Sequence, residues 1–344
     1  MNFNLIFVLI FLSLTQTQGV NINQYIKFKL EGHSDGILSL ALLNNGNLAS
    51  GSADKTIRIW DLASKSMKFK LDGQLNWVRS LTVLNDNKEF ASSSGNNTIL
   101  IWNLNSRSIE YKLVGKVYWM RSLLLLDNGD LVSEYEDNII GVWSLKTRQI
   151  KYKLVGHKAP ISSLVKLANG DLVSGSRDNT IIVWNLKTKS KKFVLEGHQN
   201  WVTCLAILQN DDLVSGSRDK TIIVWNMKSK TIRYRLEGHR DWIKSLVVLQ
   251  NGLLASGSYD KTIIIWDLIT KSVKTKLAAH QDAVTSLLVL PNGNLVSGSK
   301  DNSIIVWDLT NSIISTTTQA ATISYNPCLK KPCGLNSNLD TLIL

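Results

Sequence analysis

The chain has 344 residues, of which 11 are tryptophan and only 5 are histidine, and its formal net charge is +12. A hydrophobic fraction of 44% with 19% charged residues excludes wholesale disorder, and four prolines and three cysteines exclude collagen-like and disulfide-scaffold architectures. At about 150 residues per domain the length predicts two domains, but all-β folds run longer as single units.

The N-terminal segment, residues 1–19, is predicted to be a signal peptide. Its apolar run, residues 5–14, spans about half a bilayer as a helix, which is too short to cross a membrane but suits a signal h-region. Thr17 and Gly19 offer small residues for cleavage, whereas no Lys or Arg precedes the run. The alternative is a strand buried under the domain. We therefore expect a secreted or secretory-pathway protein, with a cytoplasmic location as the alternative.

The region 24–310 is built from an internal repeat. Tryptophans recur at Trp60, Trp102, Trp143, Trp184, Trp225, Trp266 and Trp307, with one gap of 42 and then gaps of 41. A matching block precedes each of them, such as LEGHQNWVTCL from Leu195 and LVSGSRDKTIIVWNM from Leu213. A period near 41 residues is typical of four-stranded propeller blades.

One unit shows why the repeat predicts strands. Residues 202–208 are apolar with Thr and Cys, which favours a strand buried on both faces, and 212–217 and 221–225 are short segments separated by a tight turn. Residues 230–236 alternate basic and apolar side chains, as a half-exposed strand does. A single four-stranded sheet cannot cover both of its faces, so seven units packed radially are predicted.

These motifs resemble the WD-repeat β-propeller family. The resemblance implies an all-β, seven-bladed propeller and, in each blade, a hydrogen-bonded tetrad of His, Ser, Asp and Trp. The matching tetrads are His33, Ser50, Asp54 and Trp60 in unit one; His157, Ser174, Asp178 and Trp184 in unit four; His198, Ser215, Asp219 and Trp225 in unit five; His239, Ser256, Asp260 and Trp266 in unit six; and His280, Ser297, Asp301 and Trp307 in unit seven.

Units two and three depart from this pattern. Gln74 and Asn96 replace His and Asp in unit two, while Lys116 replaces His in unit three and SEYED replaces SGSRD there. We expect these two blades to lack the full tetrad and to be locally less stable or specialised for another purpose.

The resemblance also implies that the ring closes by pairing of its terminal segments. Residues 25–30 match the outer-strand pattern and would complete the blade of unit seven. Residues 311–316 could compete for the same edge but alternate less.

Five units carry Ser, His and Asp together, which would suit a hydrolase. However, the set recurs with every blade, and all five histidines are tetrad positions, so none remains for general-base or metal chemistry. Zinc-type Cys/His spacing and a GK[ST] phosphate loop are also missing from the sequence. We therefore expect no enzyme activity, no metal and no cofactor, and a hydrolase at the channel mouth is the remote alternative.

Four tryptophans are left once the repeat is explained. In propellers of this family their position, a second position two residues later and the residue before the tight-turn Asp flank the central channel on the top face. The candidate partner-binding residues at these positions are Trp77, Arg79, Trp119, Arg121, Arg177, Trp201, Arg218, Trp242, Lys244, Tyr259 and Lys300. Trp and Arg are enriched in binding hot spots, so the face is predicted to bind an acidic or phosphorylated peptide of a protein partner. The alternative is that the tryptophans pack under loops and the arginines are solvated.

Further basic residues fall on or beside the outer strands: Lys27, Lys29, Lys68, Lys70, Lys151, Lys153, Lys191 and Lys192. Lysine at a strand edge blocks aggregation, but the same residues could bind a polyanion such as a sulfated glycan. The sequence has no recognised nucleic-acid motif, so sequence-specific nucleic-acid binding is not expected. We expect the propeller to be monomeric.

The remaining features are a tail, residues 311–344, and a single cysteine inside the repeat. The tail is polar, and Cys328 and Cys333 resemble the opening of an EGF-like module, although Leu339 stands where its third cysteine would fall. A short loop that closes as a Cys328–Cys333 disulfide is the simpler alternative. Cys204 stands where sister units carry Ser and is predicted to be a buried thiol.

Overall fold

The computed structural model describes residues 22–84, 89–116 and 119–309. The predicted signal peptide, the competing segment 311–316 and the tail with Cys328 and Cys333 lie outside these residues. The described part contains 28 strands in seven four-stranded antiparallel sheets, preceded by a short 3-10 turn, Ile22–Tyr25. None of its helices is long and apolar enough to cross a membrane.

Blades one to three contain the strands β2 (Ile37–Leu42), β3 (Leu48–Ser52), β4 (Ile57–Asp61) and β5 (Ser66–Leu71); β6 (Val78–Val83), β7 (Glu89–Ser94), β8 (Thr98–Asn103) and β9 (Ser108–Val114); and β10 (Leu123–Leu125), β11 (Leu131–Glu136), β12 (Ile139–Ser144) and β13 (Gln149–Leu154). Within each blade the strands neighbour one another in chain order.

Blades four to seven contain β14 (Ile161–Lys166), β15 (Leu172–Ser176), β16 (Ile181–Asn185) and β17 (Ser190–Leu195); β18 (Val202–Ile207), β19 (Leu213–Ser217), β20 (Ile222–Asn226) and β21 (Thr231–Leu236); β22 (Ile243–Val248), β23 (Leu254–Ser258), β24 (Ile263–Asp267) and β25 (Ser272–Leu277); and β26 (Val284–Val289), β27 (Leu295–Ser299) and β28 (Ser303–Trp307). The predicted all-β, seven-bladed propeller is confirmed.

The hydrophobic core lies between neighbouring blades. The second strand of a regular blade is fully buried and carries a glycine where the next blade packs against it. A Cβ on Gly175 would come within 2.7 Å of Val202 Cγ1, and one on Gly216 within 2.7 Å of Ile243 Cγ2. Because the absence of a side chain is what allows this approach, the SGS motif sets how closely adjacent blades pack.

The ring closes as predicted. The strand β1 (Ile26–Glu31) pairs antiparallel with β28 and is the outer strand of blade seven. The Asp308 N–H donates to the Tyr25 carbonyl oxygen at 2.7 Å, which ties the two ends of the described propeller together. Blade seven is therefore assembled from both ends of the repeat region, and the first and last units cannot separate without breaking a sheet.

Candidate binding face at the channel mouth

The tetrad of blade five shows how a regular blade fixes its upper end. His198 Nδ1 lies 2.8 Å from Asp219 Oδ2, and His198 Nε2 lies 2.8 Å from Ser215 Oγ. The Trp225 indole donates to the same serine oxygen at 2.8 Å. Because the indole can only donate, the set is satisfied when Ser215 donates to Nε2 and the Nδ1–H donates to the carboxylate. The same bonds recur in blades one, four, six and seven.

Each tetrad aspartate is held as a carboxylate. Burial on its own would raise the pKa of Asp219, but the hydrogen bonds from His198 and Thr221 outweigh burial, so its pKa lies well below the usual range. The His198 ring is fully buried. The His198 and Ser215 side chains therefore fill buried structural positions, and Asp219 is tied to them.

Blades two and three keep only part of this network. In blade two Gln74 donates to Ser92, which also accepts from Trp102, while the Gln74 Oε1 atom is buried with no hydrogen-bond partner in the described part of the chain. In blade three Trp143 donates to Ser133 at 2.8 Å, and Lys116 turns outward to Glu136 at 2.6 Å.

In blade three a tyrosine ring packs against the blade tryptophan, as the histidine ring does in a regular blade. Tyr135 packs edge-on against Trp143 with ring centroids 5.3 Å apart, as His198 packs against Trp225 at 6.4 Å in blade five. Room for the tyrosine comes from Gly141, where a Cβ would lie 2.7 Å from Tyr135 Cβ. Blade three therefore keeps an edge-on ring against its tryptophan without a histidine.

The tight turns place the face residues in a fixed register. The N–H of Arg218 donates to the carbonyl of Trp201 at 2.9 Å, and the N–H of Tyr259 donates to the carbonyl of Trp242 at 2.9 Å. The tight turn is anchored by its aspartate to the buried tetrad, so the tetrad also positions the residue that precedes the aspartate. In this way the structural network supports the side chains that face the channel mouth.

Six of the candidate residues form one continuous row across blades four to seven, which we call the cation–π ladder: Arg177, Trp201, Arg218, Trp242, Tyr259 and Lys300. The Arg218 guanidinium lies 4.4 Å from the ring centroid of Trp201 and 3.7 Å from that of Trp242. The ladder continues at one end through Arg177, 4.1 Å from Trp201, and at the other through Tyr259 to Lys300. Cation–π contacts of this kind hold long cationic side chains in defined positions.

Three more candidates form a separate group on blades two and three, which we call the Trp–Arg–Trp clamp: Trp77, Arg79 and Trp119. The Arg79 guanidinium lies 5.0 Å and 4.7 Å from the two ring centroids. Both tryptophans are 40% exposed, and Leu75 beside them is 75% exposed. Burial and the charges of Arg121 and Arg177 lower the pKa of Arg79 to about 10, so it remains cationic at neutral pH.

The last two candidates, Arg121 and Lys244, line the channel below the mouth. Arg121 differs from the other arginines because it already contacts a carboxylate, Glu134 Oε2, at 3.3 Å. Burial raises the pKa of Glu134 to about 7, against the opposing effects of Arg121 and the Ile161 N–H. Burial and the charges of the three nearby arginines, partly offset by Cys204, lower the pKa of Lys244 to about 8.

Sequence reasoning did not identify two features of the structure. The first is the carboxylate of Glu134 between blades, for which the only available sequence signal was the replacement of the glycine of the SGS motif. The second feature recurs in blades one to six, where the turn before the outer strand carries a basic residue with positive φ. The side chain of this residue stacks on an aromatic residue of the preceding blade. These turn cations are Lys65, Arg107, Arg148, Lys189, Lys230 and Lys271.

A closed ring of seven four-stranded blades with recurring His–Ser–Asp–Trp networks defines a propeller of the protein-interaction class. The chain belongs to the WD-repeat family: the model described as "WD domain, G-beta repeat" matches residues 24–61, 65–103, 148–185, 189–226, 230–267 and 271–308. The matched ranges leave out 104–147, which holds the first three strands of blade three, where Lys116 stands at the histidine position. Propellers of this family serve as scaffolds that bind protein partners.

Two curated proteins are similar over short stretches. Cell division control protein 4 of Saccharomyces cerevisiae is 33% identical over 64 residues, which is 19% of this chain and 8% of that protein. Ribosome assembly protein 4 of Chaetomium thermophilum is 39% identical over 62 residues, which is 17% of this chain and 12% of that protein. The matches span about a tenth of the length of each relative.

Proposed function

We propose that this propeller is a non-catalytic scaffold whose top face binds an acidic or phosphorylated peptide segment of a protein partner. The observation that carries the proposal is the arrangement of the cation–π ladder and the Trp–Arg–Trp clamp around one channel mouth. Nine of the eleven candidate residues fall into these two groups, and aromatic surface alternates with cationic groups along both.

The charge state of the arginines supports an anionic ligand. In the described residues 22–84, 89–116 and 119–309, no ion pair joins Arg79, Arg177 or Arg218 to a carboxylate, in contrast to Arg121. Guanidinium groups bind carboxylate and phosphate through paired hydrogen bonds. The indole rings lie within 5.0 Å of the guanidinium carbons of these arginines and bring no negative charge to compete with an anionic ligand.

The aromatic part supports a peptide rather than a free ion. The exposed rings of Trp77 and Trp119 and the exposed Leu75 form an apolar surface next to Arg79. Exposed apolar groups of this kind beside arginine are characteristic of interaction sites, because a peptide can bury them while its acidic group reaches the cation.

The outer rim is the weaker alternative for anion binding. Six of the eight rim lysines already lie within 4 Å of a carboxylate: Lys27, Lys29, Lys70, Lys151, Lys153 and Lys192. For example, Lys151 and Lys192 pair with Asp130 and Asp171, each at 2.7 Å. A polyanion on the rim would have to compete with these local partners.

The proposal is tested by binding of a fluorescent peptide library in phosphorylated, acidic and neutral forms, followed by titration of the tightest sequence. The double variant Trp201→Ala/Arg218→Ala should weaken that binding by about thirtyfold or more, since loss of one hot-spot side chain costs about 2 kcal/mol or more and such losses are not additive. The Arg148→Ala variant is the matched control, because its guanidinium also stacks on an aromatic ring, 4.2 Å from Tyr111, but in a turn at the opposite end of the strands.

Three outcomes can be distinguished. Retained binding by Arg148→Ala with loss in the double variant supports the face. Equal affinities for the wild type and the double variant, with both proteins folded by circular dichroism, would refute it. Loss of binding with added salt but without dependence on Trp201 would instead favour the lysine rim.

A further inference from the structure

The central channel contains a polar cavity of about 200 Å³ below the top face. Its wall is formed by the inner strands of the blades and includes a ring with one small polar side chain from each blade. The ring consists of Ser39, Ser80, Ser122, Ser163, Cys204, Ser245 and Ser286. Six of its seven members are serines, so nearly every blade offers a hydroxyl to the same space.

Three cations enter this cavity: Arg79, Arg121 and Lys244. Glu134 is the carboxylate paired with them, through Arg121 at 3.3 Å, and its side chain is only 3% exposed. Three positive charges therefore face one partly protonated acid. Burial and mutual repulsion lower the pKa values of Arg79 and Lys244, and the negative charge of a bound anion would oppose both effects.

Some residues that line the cavity also carry buried polar atoms for which the described residues provide no hydrogen-bond partner. In the described part of the chain six buried side-chain polar atoms have no hydrogen-bond partner, and three of them, Arg79 Nε, Arg121 Nε and Ser162 Oγ, belong to residues that line the cavity. Buried donors without a partner are rare in folded proteins and call for an explanation.

The serine ring is oriented to donate as well. The N–H groups of Leu123, Leu164 and Leu287 donate to the hydroxyl oxygens of Ser80, Ser122 and Ser245 at 3.1, 3.2 and 3.0 Å. Each of these hydroxyls accepts a backbone bond from the next blade, which leaves its hydrogen free for another acceptor. The cavity is therefore rich in donors and cations.

We propose that the channel binds a small oxyanion of the phosphate type, held by Arg79, Lys244 and the donors of the serine ring. Liquid water occupies about 30 Å³ per molecule, so the cavity accommodates one tetrahedral oxyanion with a few waters. The site does not depend on the peptide proposal, because a free anion can occupy it whether or not the face binds a peptide. The same phosphate chemistry could also arrive on a phosphorylated side chain.

Inorganic phosphate is the probe for the test, with sodium chloride at equal ionic strength as the reference. A ligand that binds only the native state raises the melting temperature. We expect a phosphate-specific rise for the full chain, with an affinity that falls about tenfold or more in Lys244→Met because a charge-assisted hydrogen bond is lost. Lys189→Met, which removes a turn cation stacked on Tyr152 at the opposite end of the strands, is the control and should keep the wild-type response.

The fold of Lys244→Met is not at risk, because removal of a like charge from the cavity should leave the melting temperature in chloride equal or higher. Absence of any phosphate effect beyond that of chloride would overturn the proposal, and so would an unchanged phosphate affinity in Lys244→Met. Competition between phosphate and a phosphorylated peptide would identify the peptide as the source of the group, and phosphate binding without competition would identify a free anion. A channel that binds phosphate while the face binds no peptide would refute the peptide proposal alone.

Discussion

Blades five and three cover the blade tryptophan and connect their loops with different residues. In blade five a buried chain of His198, Ser215, Asp219 and Trp225 links the loop before the first strand to the tight turn. In blade three Tyr135 covers Trp143, while Glu134 and Glu136 form ion pairs with Arg121 and Lys116. The serine–tryptophan bond is common to both.

The difference shows that the tetrad and the blade are separable. The strands, the core and the serine–tryptophan bond suffice to form the sheet of blade three, so the histidine adds rigidity to the top of a regular blade. Blade three keeps the aspartate position as Asp137, but Lys116 stands at the histidine position and Glu134 at the glycine position of the SGS motif. We therefore expect the two blades to respond differently to mutation and to pH.

The largest contrast is expected when each blade loses the residue at its histidine position. His198→Ala leaves the buried Asp219 carboxylate and Ser215 without their partner, which should cost about 3–5 kcal/mol of unfolding free energy. Lys116→Ala breaks a pair whose lysine is 60% exposed and should cost less than about 1 kcal/mol. Urea unfolding measures both, and equal losses would mean that the tetrad does not strengthen the regular blade.

The second contrast is in pH dependence. The folded-state pKa of Glu134 is raised from 4.5 to about 7, so the unfolded chain releases this proton first. Stability should fall as the pH rises from 4.5 to 7, by up to about 3 kcal/mol relative to Glu134→Gln. The tetrad aspartates have lowered pKa values, so their contribution to stability is lost at acidic pH, as the pH falls below about 4.

Unfolding midpoints measured at several pH values for the wild type, Glu134→Gln and Glu136→Gln check this prediction. Glu136 is half-buried, and hydrogen bonds from Lys116 and Lys153 lower its pKa, so its variant should not remove the fall between pH 4.5 and 7. A wild-type curve parallel to that of Glu134→Gln across this range would contradict a buried, proton-holding Glu134.

A third test exchanges the packing partners of blade three for those of a regular blade. Gly141→Ile alone places a side chain against Tyr135 and Ile150, both within 2.7 Å of the new Cβ, and should cost about 1–3 kcal/mol. Tyr135→Ser with Gly141→Ile restores the Ser176 and Ile182 combination of blade four and should recover part of the loss. A double-mutant cycle gives the coupling, and additive losses would show that the two residues do not compensate each other.

The smallest effect is expected at the outer rim, where the two blades are alike. Lys230→Ala in blade five and Arg148→Ala in blade three each remove a turn cation stacked on the preceding blade, and each should lower the stability by about 0.5–1 kcal/mol. Melting temperatures of the two variants measured side by side provide the check. A much larger loss in one of them would extend the difference between the blades to their outer edges.

The fold was predictable because seven copies of one unit give the same signal repeatedly. The 41-residue spacing of the tryptophans predicted the blades, and the alternation in residues 25–30 predicted the closing strand β1. The tetrad positions followed from the repeat as well, since the histidine, serine and aspartate of each regular blade stand at fixed offsets from its tryptophan.

The parts that could not be predicted depend on contacts between units rather than within them. Neither the burial of Glu134 nor its contact with Arg121 can be read from spacing, because the two residues meet only after blade three has folded around an altered turn. The division of the candidates into ladder, clamp and channel residues likewise depends on which side chains of adjacent blades come within stacking distance. The face itself was predicted from the positions, but its internal order was not.

The closing strand also determines how the ring would respond to tension. Ile26 and Trp307 are opposite each other at the end of the β1–β28 ladder from which both chain ends leave. A pulling force on the two ends would therefore open this ladder like a zipper, one pair at a time, instead of shearing all its hydrogen bonds together. We expect low rupture forces when the propeller is stretched from these two ends in a single-molecule experiment, even though a complete four-stranded sheet closes the ring.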